Sequence, residues 1–172
     1  MNERIRVACV QAEPVVLDRE RTLDKLAALT AEARANGAQL VVFPETFVPA
    51  YPSSAWAKFL AGWADPRAKA AYGKLAAESV DVPGPACDRL GEIARENEVW
   101  LVTGINERDP ERTGTLYNSL LYHGPDGGLA LHHRKLVPTN HERLVWGQGD
   151  GRGLRALATP LGRIGGLICW EN

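Results

Sequence analysis

A carboxylate, an ammonium and a thiol stand at three places in this chain where an apolar run gives way to a turn. Glu45 follows Leu40-Val41-Val42-Phe43-Pro44, Lys135 closes a run beginning at Leu129, and Cys169 closes Gly165-Gly166-Leu167-Ile168. In α/β sheets ligands bind outside the carboxyl ends of strands, so three such ends can bring their side chains together. The chemistry these groups share is nucleophilic catalysis: a thiol attacks as thiolate, a carboxylate takes its proton, and an ammonium stabilises charge developing on the attacked atom. Each group also has a plainer reading. A cysteine ending an apolar strand is most often an inert core residue, and most glutamates and lysines are simply solvated.

The elements that must position these groups are legible in the pattern. Ile5 to Gln11 is apolar and β-prone, and Asp18 is placed to cap a helix with Leu23, Leu26, Ala27, Thr30 and Ala33 on one stripe, stopped by Gly37. Leu40 to Phe43 is then a second strand, and the strand–helix–strand spacing suits parallel pairing. Thr46 to Trp63, rich in proline, serine and aromatic residues, reads as an ordered loop whose Phe47, Tyr51, Trp56, Phe59 and Trp63 can line a pocket, pack in the core or meet a second subunit. Asp65-Pro66 opens one helix, and Pro83-Gly84-Pro85 separates it from another carrying Leu90, Ile93 and Ala94. Val99 to Thr103 is a third strand. Leu116–Tyr122 and Leu129–Arg134 flank Gly124-Pro125-Asp126-Gly127-Gly128 as a hairpin, and Leu154–Ala158 with Arg163–Cys169 forms a second one. The expected fold class is α/β with a mixed sheet.

Composition narrows the function classes. The 172 residues are 45% hydrophobic and 24% charged with a formal net charge of −1, an ordinary globular balance. The one basic cluster, His132-His133-Arg134-Lys135, is too short for an electrostatic stripe, so no nucleic-acid partner is expected. No apolar run approaches membrane-spanning length and the N-terminus carries no long apolar stretch, so no membrane partner is expected and the chain reads as cytoplasmic. Cys9, Cys87 and Cys169 are odd in number and widely spaced, which argues against a disulfide framework or a structural metal. No GxSxG elbow supports a serine hydrolase. The histidines lack HExxH spacing, and His132 and His133 face opposite ways if they lie in a strand. The glycine-rich run from Trp146 to Gly153 lacks the GK[ST] of a phosphate loop and reads as turns.

Three blocks together carry more weight than any one residue. Phe43-Pro44-Glu45-Thr46-Phe47, His133-Arg134-Lys135-Leu136-Val137-Pro138-Thr139 and Cys169-Trp170-Glu171-Asn172 resemble, in order, the three catalytic blocks of the nitrilase superfamily of carbon–nitrogen hydrolases. The resemblance implies Cys169 as nucleophile, Glu45 as general base and Lys135 as stabiliser of the tetrahedral intermediate. It further implies Glu142, within His141-Glu142-Arg143-Leu144-Val145-Trp146-Gly147, as a second glutamate that positions substrate and catalytic groups. Cys-Trp-Glu-Asn and Leu-Val-Pro-Thr-x-x-Glu-Arg-x-x-Trp-Gly resemble the nitrilase branch. This implies a small-molecule nitrile substrate, hydrolysed through a cysteine thioimidate and thioester, and no metal or organic cofactor. Amidases and cyanide-converting relatives share much of the pattern, and a non-catalytic remnant is the rival from another class.

The family fold is a four-layer αββα sandwich assembled into homo-oligomers. The resemblance covers about half of that domain, so residues 1–172 are expected to be a partial domain, truncated after the nucleophile and lacking its C-terminal half. The family's helix beyond the cysteine, whose positive end favours the thiolate, is expected to be missing too. The isolated chain is accordingly expected to be inactive or nearly so.

Overall fold

The first strand, β1 (Val7–Cys9), pairs in parallel with β2 (Leu40–Val42) across the helix α1 (Arg19–Ala35), in the computed structural model, which describes residues 4–171. Asp18 caps α1 by accepting from the Arg21 amide at 3.0 Å, and Gly37 takes φ +85° just past its end. Thr22, Leu23, Leu26 and Thr30 form the buried stripe of α1. The stretch expected to be a loop is interrupted by a seven-residue helix, α2 (Ser54–Leu60), because Ser53 accepts from the Trp56 amide and the following residues are mostly good helix formers. Asp65 and Pro66 open α3 (Pro66–Glu78) as expected, and a two-residue strand, β3 (Val80–Asp81), precedes α4 (Pro85–Glu96).

The long central strand β4 (Trp100–Arg108) runs well past Thr103, because antiparallel pairing with β5 (Leu116–His123) satisfies its backbone along its whole length from Leu101 on. On its other edge β4 meets β2, then Val48, then β3. A hairpin joins β5 to β6 (Leu129–Arg134), and the six-stranded sheet is mixed, as the pattern predicted.

Alternation along the strands gives the sheet two different faces. One carries Val41, Leu101, Ile105 and Leu121 beneath α1 and α4, forming the main core with Leu23, Leu26, Leu90 and Ile93. The other carries Val102, Tyr122 and Leu131, packed against Leu157 and Ile164 of a separate small hairpin, β7 (Leu157–Thr159) and β8 (Gly162–Ile164). That hairpin is shorter than the pattern suggested, and Cys169 does not close a strand. Gly165 to Ile168 runs on as irregular chain, and Cys169 begins a single 3-10 turn. Gly166 explains part of this: a β-carbon there would lie 2.1 Å from the Tyr122 hydroxyl, so the backbone is pressed onto a side chain rather than laid beside a strand.

The glycine-rich run after Trp146 proves to be packing. The Gly149 amide bonds the carbonyl of Lys135, and β-carbons at Gly149 and Gly153 would fall 2.4 Å from the Arg134 carbonyl oxygen and the His133 α-carbon. The run therefore lies against the edge strand β6 at a distance only glycine permits, where it shields an otherwise open edge. No helix among the described residues is long and apolar enough to cross a membrane.

Candidate active site

Glu45 lies in the turn just past β2. Thr46 takes the left-handed φ of +44°, and the turn sits directly on β4, where a β-carbon at Gly104 would come within 2.3 Å of the Pro44 oxygen and 2.8 Å of the Glu45 α-carbon. The carboxylate is 28% exposed. Its Oε1 accepts two bonds, from Asn118 Nδ2 at 2.6 Å and from Lys135 Nζ at 3.2 Å. Both donors come from the ends of neighbouring strands β5 and β6, so the sheet register places them.

Lys135 follows β6 directly and is 1% exposed. Its ammonium bridges two carboxylates, Glu45 and, at 2.6 Å, Glu142 Oε2. Burial opposes the charge on Lys135, but the Glu142 bond and the nearby carboxylates outweigh it, holding the lysine above its ordinary range and therefore charged. Glu142 is in turn held from three sides. It lies in a 3-10 turn (Asn140–Leu144) capped by Thr139, whose amide donates to Oε2 at 2.6 Å, while the Tyr51 hydroxyl donates to Oε1 at 2.8 Å. Burial first, and then the Glu142 bond, pushes the Tyr51 phenol well above its usual value, so it remains a donor.

Cys169 is exposed and takes a left-handed φ of +58°. Its sulfur and the nearest carboxylate oxygens of Glu45 and Glu142 all lie within 4.8 Å of one another. Such a trio is also what a metal ion would require, but the Lys135 ammonium already fills the cation's place between the two carboxylates. Beside the trio opens a cleft of about 280 Å³ lined by Val42, Phe43, Tyr122, Leu167 and Cys169 among others, apolar enough to take an organic group.

The four residues singled out from the sequence, Glu45, Lys135, Glu142 and Cys169, are thus brought to one place. The aromatic residues of the 46–63 stretch are scattered instead: Phe47 is in the core against Phe43, Tyr51 reaches Glu142, and Trp63 is 97% exposed. Two contributors were not singled out from the sequence. Asn118 is a strand asparagine whose meaning depends on a turn 73 residues away. Asn106, also buried, donates to the Ala50 carbonyl at 2.8 Å and accepts from Trp146 Nε1 at 2.8 Å, fixing the chain beside Tyr51. The one available signal was a polar residue inside an otherwise apolar strand.

Known proteins share this arrangement of chain. Over 168 residues the sequence is 43% identical to a bifunctional nitrilase/nitrile hydratase of Lupinus angustifolius, covering 98% of this chain and 47% of that protein. It is 44% identical over 169 residues to an aliphatic nitrilase of Sinorhizobium fredii (strain HH103), covering 98% and 54%. The chain therefore spans about half the length of the curated relatives it matches. A branch 10 member of the nitrilase superfamily from Saccharomyces cerevisiae has the same fold, with a TM-score of 0.73 at 26% identity over 97% of this chain and 56% of that one. So does an amidase from Nesterenkonia sp. AN1 bearing acrylamide on its active-site cysteine, with a TM-score of 0.71 at 20% identity, over 97% and 58%. The model of the carbon-nitrogen hydrolase family matches residues 6–172, and this chain belongs to that family, the nitrilase superfamily.

Proposed function

We propose that the chain carries the catalytic groups of a nitrilase, converting an organic nitrile to a carboxylic acid and ammonia. The observation that carries this reading is the exposed Cys169 sulfur within 4.8 Å of two carboxylates, which themselves hold a buried ammonium. In the first step Glu45 takes the thiol proton, using the carboxylate oxygen not engaged by Asn118 and Lys135, and sulfur adds to the nitrile carbon. The proton passes to nitrogen, giving a thioimidate. Water adds, ammonia leaves, and a thioester remains; a second water then releases the acid and restores the thiol. Lys135 donates to the charge that develops on nitrogen or oxygen, and Glu142 holds it in place without neutralising its hydrogen-bonding capacity, since the ammonium has three donors.

The nitrile class is favoured over amides because the relatives at 40% identity and above are named as nitrilases. Ammonia release from a panel of aryl, arylalkyl and aliphatic nitriles, cyanide and the matching amides tests this directly. Turnover of nitriles that vanishes in Cys169→Ala, with a mass adduct confined to Cys169, is the expected result. Amides or cyanide as the better substrates would move the assignment to another branch. Equal labelling of Cys9, Cys87 and Cys169 with no turnover would leave a binding remnant. The stretch 1–172 on its own is expected to turn over far more slowly than any longer chain that contains it.

A further inference from the structure

The turn that presents Cys169 is three residues long, and its own backbone bond, from the Glu171 amide to the Ile168 carbonyl, is 3.3 Å. A non-glycine residue at φ +58° is held there by its surroundings, because left-handed backbone is unfavourable for a residue with a β-carbon. The Glu171 side chain supplies the holding. Its Oε2 accepts from the Ile168 amide at 2.7 Å and from His133 Nε2 at 2.9 Å, and its Oε1 accepts from the Leu136 amide at 2.7 Å. Ile168 directly precedes the thiol, while His133 and Leu136 stand on either side of Lys135. One carboxylate, 6% exposed, thus joins the turn of the thiol to the strand end of the ammonium.

We propose that Glu171, with His133 as its partner, is a positioning residue that sets where the Cys169 sulfur stands relative to the Glu45–Lys135 pair. The inference rests on Cys169 being the nucleophile. Every part of the arrangement is built for a carboxylate. Burial alone would push the Glu171 carboxyl up, but the Leu136 amide, the His133 ring and the Ile168 amide together hold it below the usual range, so it stays ionised. A carboxylate can only accept, so His133 donates from Nε2, and His133 Nδ1 has no partner among the described residues. His133 is fully buried, and Gly153 packs directly against its backbone.

Glutamine at position 171 keeps the shape but has one acceptor atom for three donors, and it turns an amide N–H toward at least one of them. Leucine at position 133 removes one donor, whereas glutamine there keeps an N–H near the place of Nε2. The test follows iodoacetamide alkylation of each cysteine by peptide mass spectrometry from pH 5 to 10, together with kcat and KM for a nitrile substrate. Exposed Cys9, on β1, is the internal reference. In Glu171→Gln and His133→Leu the alkylation of Cys169 is expected to slow by about 100-fold, the scale of a misplaced reacting group, with Cys9 unchanged. kcat should fall in step while KM holds, and His133→Gln should recover most of the loss.

If unsubstituted Cys169 reacts no faster than Cys9, the proposed function fails. If Cys169 is privileged but indifferent to Glu171→Gln, only the positioning role fails. Loss of the melting transition in both Glu171→Gln and His133→Leu would also overturn it, because the carboxylate would then support the fold and not the turn.

Discussion

Two buried acidic clusters lie back to back on the same pair of strands, and they differ in what they leave unsatisfied. On the helix face Glu107 accepts from Ser119 Oγ at 2.6 Å, from His132 at 2.7 Å and from both Nε and a terminal nitrogen of Arg134. On the opposite face Asn118 and Lys135, the strand neighbours of Ser119 and Arg134, hold Glu45. Glu107 is entirely buried and both its oxygens are engaged, while Glu45 is 28% exposed with two donors on one oxygen and a sulfur near the carboxylate. Burial would raise the Glu107 carboxyl, but His132 and Arg134 more than offset it and keep the group ionised. Dense charge alone therefore marks no site here. A carboxylate with spare acceptor capacity, access and a reactive neighbour does, since a fully satisfied network mainly specifies structure.

Cys169 is the reactive neighbour of Glu45. Cys169→Ala should lower nitrile turnover by about a thousandfold or more, as removal of a nucleophile that works with its base as a unit does. Because the residue is exposed, the melting temperature should stay within the range of a surface substitution. Glu45→Gln should cost about 100-fold or more through loss of the proton acceptor. A Glu45→Gln protein with near-normal turnover would show that the carboxylate bordering the cleft is no more reactive than the one buried beneath the helices.

Glu107→Leu should give the converse pattern. It leaves Arg134 and His132 facing an apolar side chain, at a cost of about 3 kcal/mol in urea unfolding. Corrected for the folded fraction, activity should change little, since Glu107 touches neither Cys169 nor Lys135. A large drop in kcat without loss of stability would mean the two faces are coupled through β6 and that Glu107 serves the site as well as the fold.

How far each cluster was legible follows from the range of the interactions that build it. Asp18, Asp65 and Gly37 were readable because a cap is a contact between residues three or fewer apart. Glu45 and Lys135 were readable as strand ends for the same reason. The turn at Cys169 was not, because Gly166 is set against Tyr122, some 44 residues earlier, and nothing local distinguishes such a glycine from one inside a strand. The helix α2 was hidden by aromatic residues that share no single buried face: Ala57 is its only buried residue. Glu107 lies beyond the strand expected to end at Thr103, and Asn118 and Glu171 acquire their roles only when distant segments meet.

His123 is a third buried group, with neither the donors of Glu107 nor the access of Glu45. It lies on the helix face with Glu107 but has only the Cys87 sulfur at 3.7 Å for a partner, and its Nδ1 is unpaired among the described residues. Burial depresses its imidazole to about 4, against an ordinary 6.5, with Asp88 opposing weakly. The unfolded chain therefore binds a proton that the folded chain refuses between those values. Stability should fall as pH drops from about 6.5 toward 4, by about 2 kcal/mol at pH 5 relative to pH 8. His123→Gln does not titrate, and urea midpoints measured across that window should lose this part of the slope. An unchanged slope would show that the imidazole takes up its proton in the fold after all, as a group with a hidden partner would.

The smallest effect belongs to a pair with the same geometry as the largest contact in the site. Lys74 and Glu78 on α3 meet at 2.6 Å, the distance that separates Lys135 from Glu142. The environments differ: Lys74 and Glu78 are 54% and 20% exposed, the site pair 1% each. In water the Coulomb attraction is screened and holding two long side chains together costs entropy, so an exposed helical pair contributes little. Lys74→Met should accordingly shift stability by no more than about 0.5 kcal/mol in urea unfolding, and added salt should erase the difference. A loss of several kcal/mol would mean that the contact distance matters more than the medium around it. That result would also undo the distinction between Glu45 and Glu107, which both accept from a basic side chain and an uncharged one and differ chiefly in satisfaction and exposure.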